Sequence, residues 1–456
     1  MNSRRVFLHT YGCQMNERDS EEILGMLQGK GYALATQPEA ADILLINTCA
    51  VREHAEERAI SQMGRFQELK QQRPEMILGL LGCVAKVQRE AIFRRLPQVD
   101  LVCGPAELYD LPDLLADVQE RRQKILAINR ACRPLDKKPA GDYRSRGVTA
   151  FVTIMEGCDK RCTYCIVPRT RGLEISRPAE DVLAEVRGLT AAGYREVTLL
   201  GQNVNSYGKR LPTGDGYRGP VGRQRRTPAD RWTDFPALLR RLDAETAVSR
   251  IRFTTSHPFD AHEDLFRAMS ECPSVCEFLH LPVQSGSNRI LHLMHRGYTV
   301  ESYLSNIQRV RELLPQVALS TDIIVGFPGE TDDDFEATVR LMERVEYDSA
   351  FLFKYSPRPG TPACELLDDV PLAVKATRHQ RLLTMQQAIT RCKQDAWIGR
   401  TAEVLVENTL EGHRLFGRTR MNRAVIFEGP ATLVGQLVPV TMHAATLQTL
   451  TGALAA

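Results

Sequence analysis

The run MEGCDKRCTYCIVP puts Cys158, Cys162 and Cys165 at C-x3-C-x2-C spacing, directly behind an apolar strand predicted over Thr149–Met155. Three thiols are thereby gathered in one loop, at the end of a strand that must deliver them to a sheet edge. Three thiolates can hold three corners of a cubane iron–sulfur cluster, whereas a cluster held by protein alone takes four. The fourth iron is left open, and an open position separates a reactive metal site from a structural one. Structural zinc is the competing use of close cysteines. Such sites pair C-x2-C with a second pair or a nearby histidine, and the first histidine downstream is His257.

A chain of 456 residues is long enough for two to four domains. Its net charge of +3 gives no global nucleic-acid signal, so any basic surface is local. The start, MNSRRVFLHTYGCQ, lacks the apolar core of a signal peptide, and no run approaches the ~18 apolar residues of a membrane span. A cytoplasmic protein without membrane contact is expected. Twelve cysteines in that setting point to metal or redox chemistry rather than disulfides.

Strands are predicted at Arg5–His9, Asp42–Ile46 and Ile77–Leu81, with a helix over Glu17–Gln28 between the first two. Continuous apolar strands separated by helices predict a parallel sheet covered on both faces. Cys13, Cys49 and Cys83 each follow one of these strands, in TYGCQMN, NTCAVRE and GLLGCVAK. The carboxyl edge of an open α/β sheet is where ligands bind. Three distant cysteines can therefore meet in a second cluster site with one open iron; three buried core cysteines are the alternative.

From about Pro112 to Gly147 the chain turns polar and basic and reads as a linker, with Cys132 incidental. After Thr149–Met155, strands are predicted at Glu196–Leu200, Arg250–Thr254, Phe278–Leu281, Ala318–Val325 and Ser349–Tyr355, with a helix over Pro178–Gly193. Six βα units are too few for a closed eight-fold barrel. An open six-stranded barrel is expected, with functional residues at carboxyl strand ends, where GQNVNSYG, TSHP, LPVQSGSN and VGFPGET lie. A basic, Gly- and Pro-rich insertion over Lys209–Arg231 leaves this same face; it is either a solvated loop or an arm touching phosphates. The last section carries short β-rich runs at Ala402–Glu407, Arg423–Phe427 and Gln436–His443, which predict a small β-barrel of the kind that presents a strand face to oligonucleotides. Arg418, Arg420 and Arg423 in LFGRTRMNR are its candidate RNA contacts, or simply a solvated face.

The whole chain resembles the radical S-adenosylmethionine (SAM) methylthiotransferase family. The match rests on YGCQMN, NTCAVRE and LLGC, then MEGCDKRCTYCIVPRTRG, then HLPVQSGSNRIL, MHRGYT and DIIVGFPGET. The resemblance implies an N-terminal parallel α/β domain (residues 4–120), a basic linker (121–143), a radical-SAM partial (β/α)6 barrel (144–388) and a TRAM RNA-binding barrel (391–454). Cys13, Cys49, Cys83, Cys158, Cys162 and Cys165 then become catalytic ligands of two 4Fe-4S clusters, with SAM on the open iron of the second set. Tyr164 would lie beside the SAM adenine, and Gln202, Asn203, Gln284 and Ser285 would contact SAM. Among the branches, the motifs look most like the MiaB enzymes, which methylthiolate carbon 2 of isopentenyl-adenosine at position 37 of tRNA. Alternatives are action on threonylcarbamoyl-adenosine of tRNA, action on a ribosomal-protein side chain, or a non-catalytic RNA-binding iron–sulfur sensor. The implied partners are the tRNA anticodon stem-loop, a sulfur donor and an electron donor, for a monomeric enzyme.

Overall fold

Arg5–Tyr11 (β1), Ala33–Leu34 (β2), Ile43–Thr48 (β3), Ile77–Gly82 (β4), Leu101–Cys103 (β5) and Ile125–Ala127 (β6) form one parallel sheet in the order β2-β1-β3-β4-β5-β6. The computed structural model describes residues 4–51, 53–135, 143–145, 147–208 and 233–455. Every residue of β3 and β4 is buried, as strands covered on both faces must be. Met63 and Phe66 of the helix Glu53–Gln72 pack one face. Ile23 and Leu27 of the helix Gln14–Gly29, with Leu111 and Leu115 of the helix Leu111–Arg121, pack the other.

The stretch read as a linker over 121–143 is partly structural. Its residues Ile125–Ala127 pair in register with β5, and its Arg133 is buried among carboxylates. Strands of two or three residues carry too little alternation to be recognised within a basic stretch.

The second sheet system contains Thr149–Thr153 (β7), a short antiparallel ribbon of Met155–Glu156 (β8) and Ile175–Ser176 (β9), then Glu196–Leu200 (β10), Arg250–Phe253 (β11), Phe278–His280 (β12), Ala318–Val325 (β13) and Ser349–Lys354 (β14). β7, β10 and β11 make one parallel sheet; β12, β13 and β14 make another. A bridge between Ile251 and Val275 joins them into an open, six-stranded partial barrel. Val152, Val197, Leu199, Ile251, Phe253, Leu279, Leu319 and Ile323 point outward under the surrounding helices. Alternation then sends Thr198, Arg250, Arg252, His280 and Asp322 inward. The basic insertion over Lys209–Arg231 lies outside the described residues.

After the helix Leu372–Asp395 come Thr401–Leu410 (β15), Arg414–Thr419 (β16), Ala424–Glu428 (β17), Leu437–Ala445 (β18) and Thr449–Leu454 (β19), closed as β15-β16-β17-β19-β18 around Val404, Val406, Leu415, Val425 and Phe427. This small barrel docks on the amino-terminal ends of the large barrel's strands. Arg250, at the start of β11, donates to the carbonyl oxygens of Arg418 (2.7 Å) and Glu403 (3.0 Å) and meets the Glu403 carboxylate. Arg252 donates to the carbonyls of Thr419 and Arg420, both at 2.7 Å.

The three arginines expected to face RNA are differently employed. Arg420 pairs with Glu277 (2.7 Å), just before β12, and Arg423 pairs with Asp348, just before β14. Both are turned into the interdomain contact. Arg418 pairs with Glu407 of its own barrel (3.1 Å) and is the most exposed of the three. Arg420 lies in the turn after β16, so it does not share a strand face with Arg418. Positive charge on a β-rich segment marks a docking face as readily as a nucleic-acid face.

The N-terminal domain meets the large barrel through a charged cluster. Glu185 of the barrel pairs with Arg177 (2.6 Å), Arg18 (3.5 Å) and Arg144. Burial raises the Glu185 carboxyl, but the guanidinia of Arg177, Arg18 and Arg144 prevail and hold it at about 2. The group is depressed on folding, so its stabilisation is present above about pH 4.5 and is lost as pH falls toward 2, a loss on the order of 3 kcal/mol. Glu185→Gln should flatten the acid limb of a denaturation-against-pH curve. An unchanged limb would show that these arginines do not hold the carboxylate down.

Candidate active site

The register of the first sheet explains how Cys13, Cys49 and Cys83 meet. β1, β3 and β4 are adjacent, and Tyr11, Thr48 and Gly82 lie side by side across them. Cys49 and Cys83 are the next residues along their strands and Cys13 is two beyond Tyr11, so strands about 4.8 Å apart carry all three to one edge. Gly82 sits at φ +89°, where an added Cβ would lie 2.6 Å from the Thr48 carbonyl oxygen, so the turn into Cys83 requires glycine. Two asparagines tie the loops together. The Asn16 amide oxygen accepts from Cys13 Sγ (3.2 Å), while Asn47 Nδ2 donates to the Asn16 carbonyl (2.9 Å).

The thiols sense one another. A hydrogen bond with Cys49 draws Cys13 down to about 6 against the effect of burial, helped by the Arg171 guanidinium. Cys49, the other half of that bond, is pushed up correspondingly, and burial raises Cys83. The opposite shifts of Cys13 and Cys49 belong to one pair, in which the first ionisation is easy and the second hard. Such a set gives up one proton readily and keeps the others until a metal displaces them.

Cys158, Cys162 and Cys165 follow the β8 strand as the sequence predicts, and interact with one another. Burial pushes both Cys158 and Cys165 up to about 12. Gly157, before Cys158, sits at φ +75° with its Cβ position 2.0 Å from the Leu173 carbonyl oxygen. Among the described residues, no three His, Cys, Asp or Glu side chains converge as the ligands of a single metal ion would. Thiolates of a cubane bind separate irons and need not meet at one point. Two sets of three thiols, the first drawn from three strand ends at one sheet edge and the second from a single loop, supply the donor chemistry that cubane clusters take.

The two sets adjoin. The segment following the second set, Val167–Thr170 with Arg171, reaches the first: Ile166 packs in the same buried cluster as Cys83, and the Arg171 charge acts on both Cys13 and Cys83. Arg171 pairs with Asp19 (2.6 Å) and Glu156 (3.2 Å), and Arg133 with Asp19 (2.8 Å) and Glu156 (3.0 Å). Gln14, next to Cys13, accepts from Thr254 at the carboxyl end of β11 (3.3 Å).

The expected SAM contacts divide. Tyr164 packs its ring near Phe327 and Met294 and accepts from Arg296 (3.3 Å). Gln202 accepts the Gly157 N–H (2.5 Å), bracing the cysteine loop. Asn203 donates to Asp260 (2.8 Å), with its own amide oxygen buried and unsatisfied. Asp260 also meets Lys160 of the cysteine loop (2.7 Å). Gln284 sits at φ +74° beside β13. Ser285 is fully buried, with its hydroxyl accepting from Ser287 N–H (3.2 Å) and near Thr338 (3.5 Å). It holds its loop to the helix Asp332–Val345. Sequence reading missed Arg171, Arg296, His257 and the Asn16–Asn47 pair. All stand in motifs already singled out or next to a cysteine, but carry no spacing that announces a role.

Three family models match the chain: the Uncharacterized protein family UPF0004 over residues 5–104, the Radical SAM superfamily over 152–342 and the TRAM domain over 396–455. The tRNA-2-methylthio-N(6)-dimethylallyladenosine synthase of Aeromonas hydrophila is 45% identical over 96% of this chain and 89% of its own length. The synthase of the same name from Carboxydothermus hydrogenoformans is 43% identical over 100% of both chains. Among solved structures, a radical S-adenosylmethionine methyltransferase, TsrM, from Kitasatospora setae with cobalamin and a 4Fe-4S cluster bound aligns at TM-score 0.56. It is 14% identical and covers 79% of this chain and 77% of that one, which is a likeness of fold. With such identity along its full length, three matched domains and two adjoining three-cysteine sites, the chain belongs to the radical-SAM family of tRNA-2-methylthio-N(6)-dimethylallyladenosine synthases.

Proposed function

We propose that this chain methylthiolates carbon 2 of N6-isopentenyl-adenosine at position 37 of tRNA. The observation that carries the reading is the adjacency of two three-thiol sets, one on each parallel sheet system, bridged by Ile166 and Arg171. The hydrogen to be replaced is on an aromatic carbon and is not acidic, so general-base catalysis does not reach it. Cys158, Cys162 and Cys165 would hold one 4Fe-4S cluster with SAM on its open iron, and Cys13, Cys49 and Cys83 the other; these groups would supply the radical and the sulfur, and a second SAM the methyl group, for C–H to C–S–CH3 exchange.

The protein's part is placement. Gln202 and Lys160 brace the loop carrying the SAM-side cysteines. Asn203 offers an unsatisfied amide oxygen in the same region, a group suited to a ligand hydroxyl or ammonium. Tyr164 presents a ring beside Cys162 and Cys165 for a nucleobase. The small barrel supplies the RNA-binding surface, and anticodon-loop bases can be splayed into a site at modest unstacking cost. Sulfur and electrons come from partner proteins, and the enzyme acts as a cytoplasmic monomer. Among the described residues no helix is long and apolar enough to cross a membrane.

The test is nucleoside mass spectrometry of bulk tRNA with and without the gene. The 2-methylthio-N6-isopentenyl nucleoside should disappear in its absence, with the unthiolated nucleoside accumulating in its place. Persistence of the methylthio form would sink the assignment.

A further inference from the structure

Among the described residues, buried arginines meet carboxylates almost without exception. Arg18 meets Glu21, Arg133 meets Asp19, Arg177 meets Glu185, Arg250 meets Glu403, Arg252 meets Glu196 and Arg378 meets Glu330; Arg171 meets Asp19. Arg296, only 5% exposed, meets none. Its Nε donates to the Tyr298 hydroxyl (3.0 Å) and its Nη2 to the Pro282 carbonyl (2.9 Å). Its Nη1 lies 3.4 Å from Cys162 Sγ and 3.3 Å from the Tyr164 hydroxyl. A guanidinium stays charged in proteins, and a buried charge demands an opposite one. The nearest group able to supply it is the Cys162 sulfur.

A second donor faces the same sulfur. His257 Nδ1 accepts the Phe259 N–H (3.2 Å), so the ring proton of the neutral form is on Nε2, which lies 3.9 Å from Cys162 Sγ. Tyr298 packs edge-on against His257 and so fixes both donors. Hydrogen bonds and charge at cluster sulfurs are what a protein uses to set a cluster's potential.

We propose that Arg296 is a positioning residue for the SAM-side cluster, supplying both a counter-charge and an N–H···S hydrogen bond at Cys162 and thereby raising the potential at which that cluster accepts its electron. The inference rests on the reading of Cys158, Cys162 and Cys165 as cluster ligands. Reduction adds one negative charge, so a neighbouring cation stabilises the reduced form more than the oxidised one.

The experiment uses the full chain carrying Cys13→Ala, Cys49→Ala and Cys83→Ala, which leaves one cluster to observe. Iron content and an EPR-monitored titration with dithionite and mediators are compared for this parent, Arg296→Gln and Arg296→Lys. Arg296→Gln should load iron as the parent does, but its oxidised-to-reduced ratio at fixed potential should rise at least tenfold, a fall of 59 mV for one electron. Arg296→Lys, which keeps the charge, should recover more than half of that shift. Equal potentials in loaded parent and Arg296→Gln would overturn the proposal, as would a lysine variant no better than glutamine. If glutamine prevents loading, a lysine variant that loads near the parent's potential supports the proposal and one that fails to load overturns it. A parent that binds no iron at all strikes the ligand assignment itself, and is distinguished by its intact Arg296.

Discussion

Replacing Cys158 by alanine should abolish SAM cleavage, whereas replacing Cys13 should leave cleavage intact and stop sulfur insertion. Each change should halve the iron bound after anaerobic reconstitution, because each removes one of three ligands from a different cluster. The dissection follows from placement. Cys158 belongs to the loop behind β8 with Cys162 and Cys165, while Cys13 and Cys49 follow adjacent strands of the other sheet. 5′-Deoxyadenosine release reports the Cys158 site, and methylthio-nucleoside formation reports both. The expected loss is complete in each case, beyond any effect of packing. A Cys13→Ala variant that still forms product would remove the Cys13 cluster from the mechanism. A Cys158→Ala variant that still releases 5′-deoxyadenosine would remove the Cys158 cluster.

Arg171→Ala should cost about 3–5 kcal/mol of stability, the usual penalty for breaking a buried ion pair from one side. Arg171 is 4% exposed and Asp19 1%. Removing the guanidinium leaves Asp19 and Glu156 with Arg133 alone, and burial already pushes Glu156 up to about 7 despite both arginines. Because the loss would come from the stranded carboxylates, Asp19→Leu combined with Arg171→Met should be less destabilised than Arg171→Ala alone. Urea denaturation of the single and double variants reads this directly. A cost below about 1 kcal/mol for Arg171→Ala would place the pair among exposed surface bridges and end its role as the clamp between the two cysteine sites.

Much of this fold is visible in the chain itself. β10 and β13 coincide with the predicted Glu196–Leu200 and Ala318–Val325, because continuous apolar runs between glycine-rich turns have few other uses. The cysteine sites were legible for a related reason: strand ends are marked by the turn residues that follow them. What stayed hidden depends on partners distant in sequence. Arg133 stands in a basic stretch that reads as solvent-loving, and carboxylates contributed by two other segments, Asp19 and Glu22 from one and Glu156 from the other, make its burial tolerable. Arg420 and Arg423 carry the charge expected of an RNA face, yet Glu277 and Asp348 claim them. Arg296 was in view within MHRGYT, but nothing local distinguishes an arginine that will lack a carboxylate from one that will find it.

The seat of the C-terminal barrel also bears on how a nucleotide is chosen. Arg250 and Arg252 fasten the module to the amino-terminal ends of the barrel strands, opposite the cysteine loops. On the function proposed above it would serve as a fixed caliper jaw: an RNA resting on it would meet the opening at a constant span, and its own loop geometry would decide which base reaches inside.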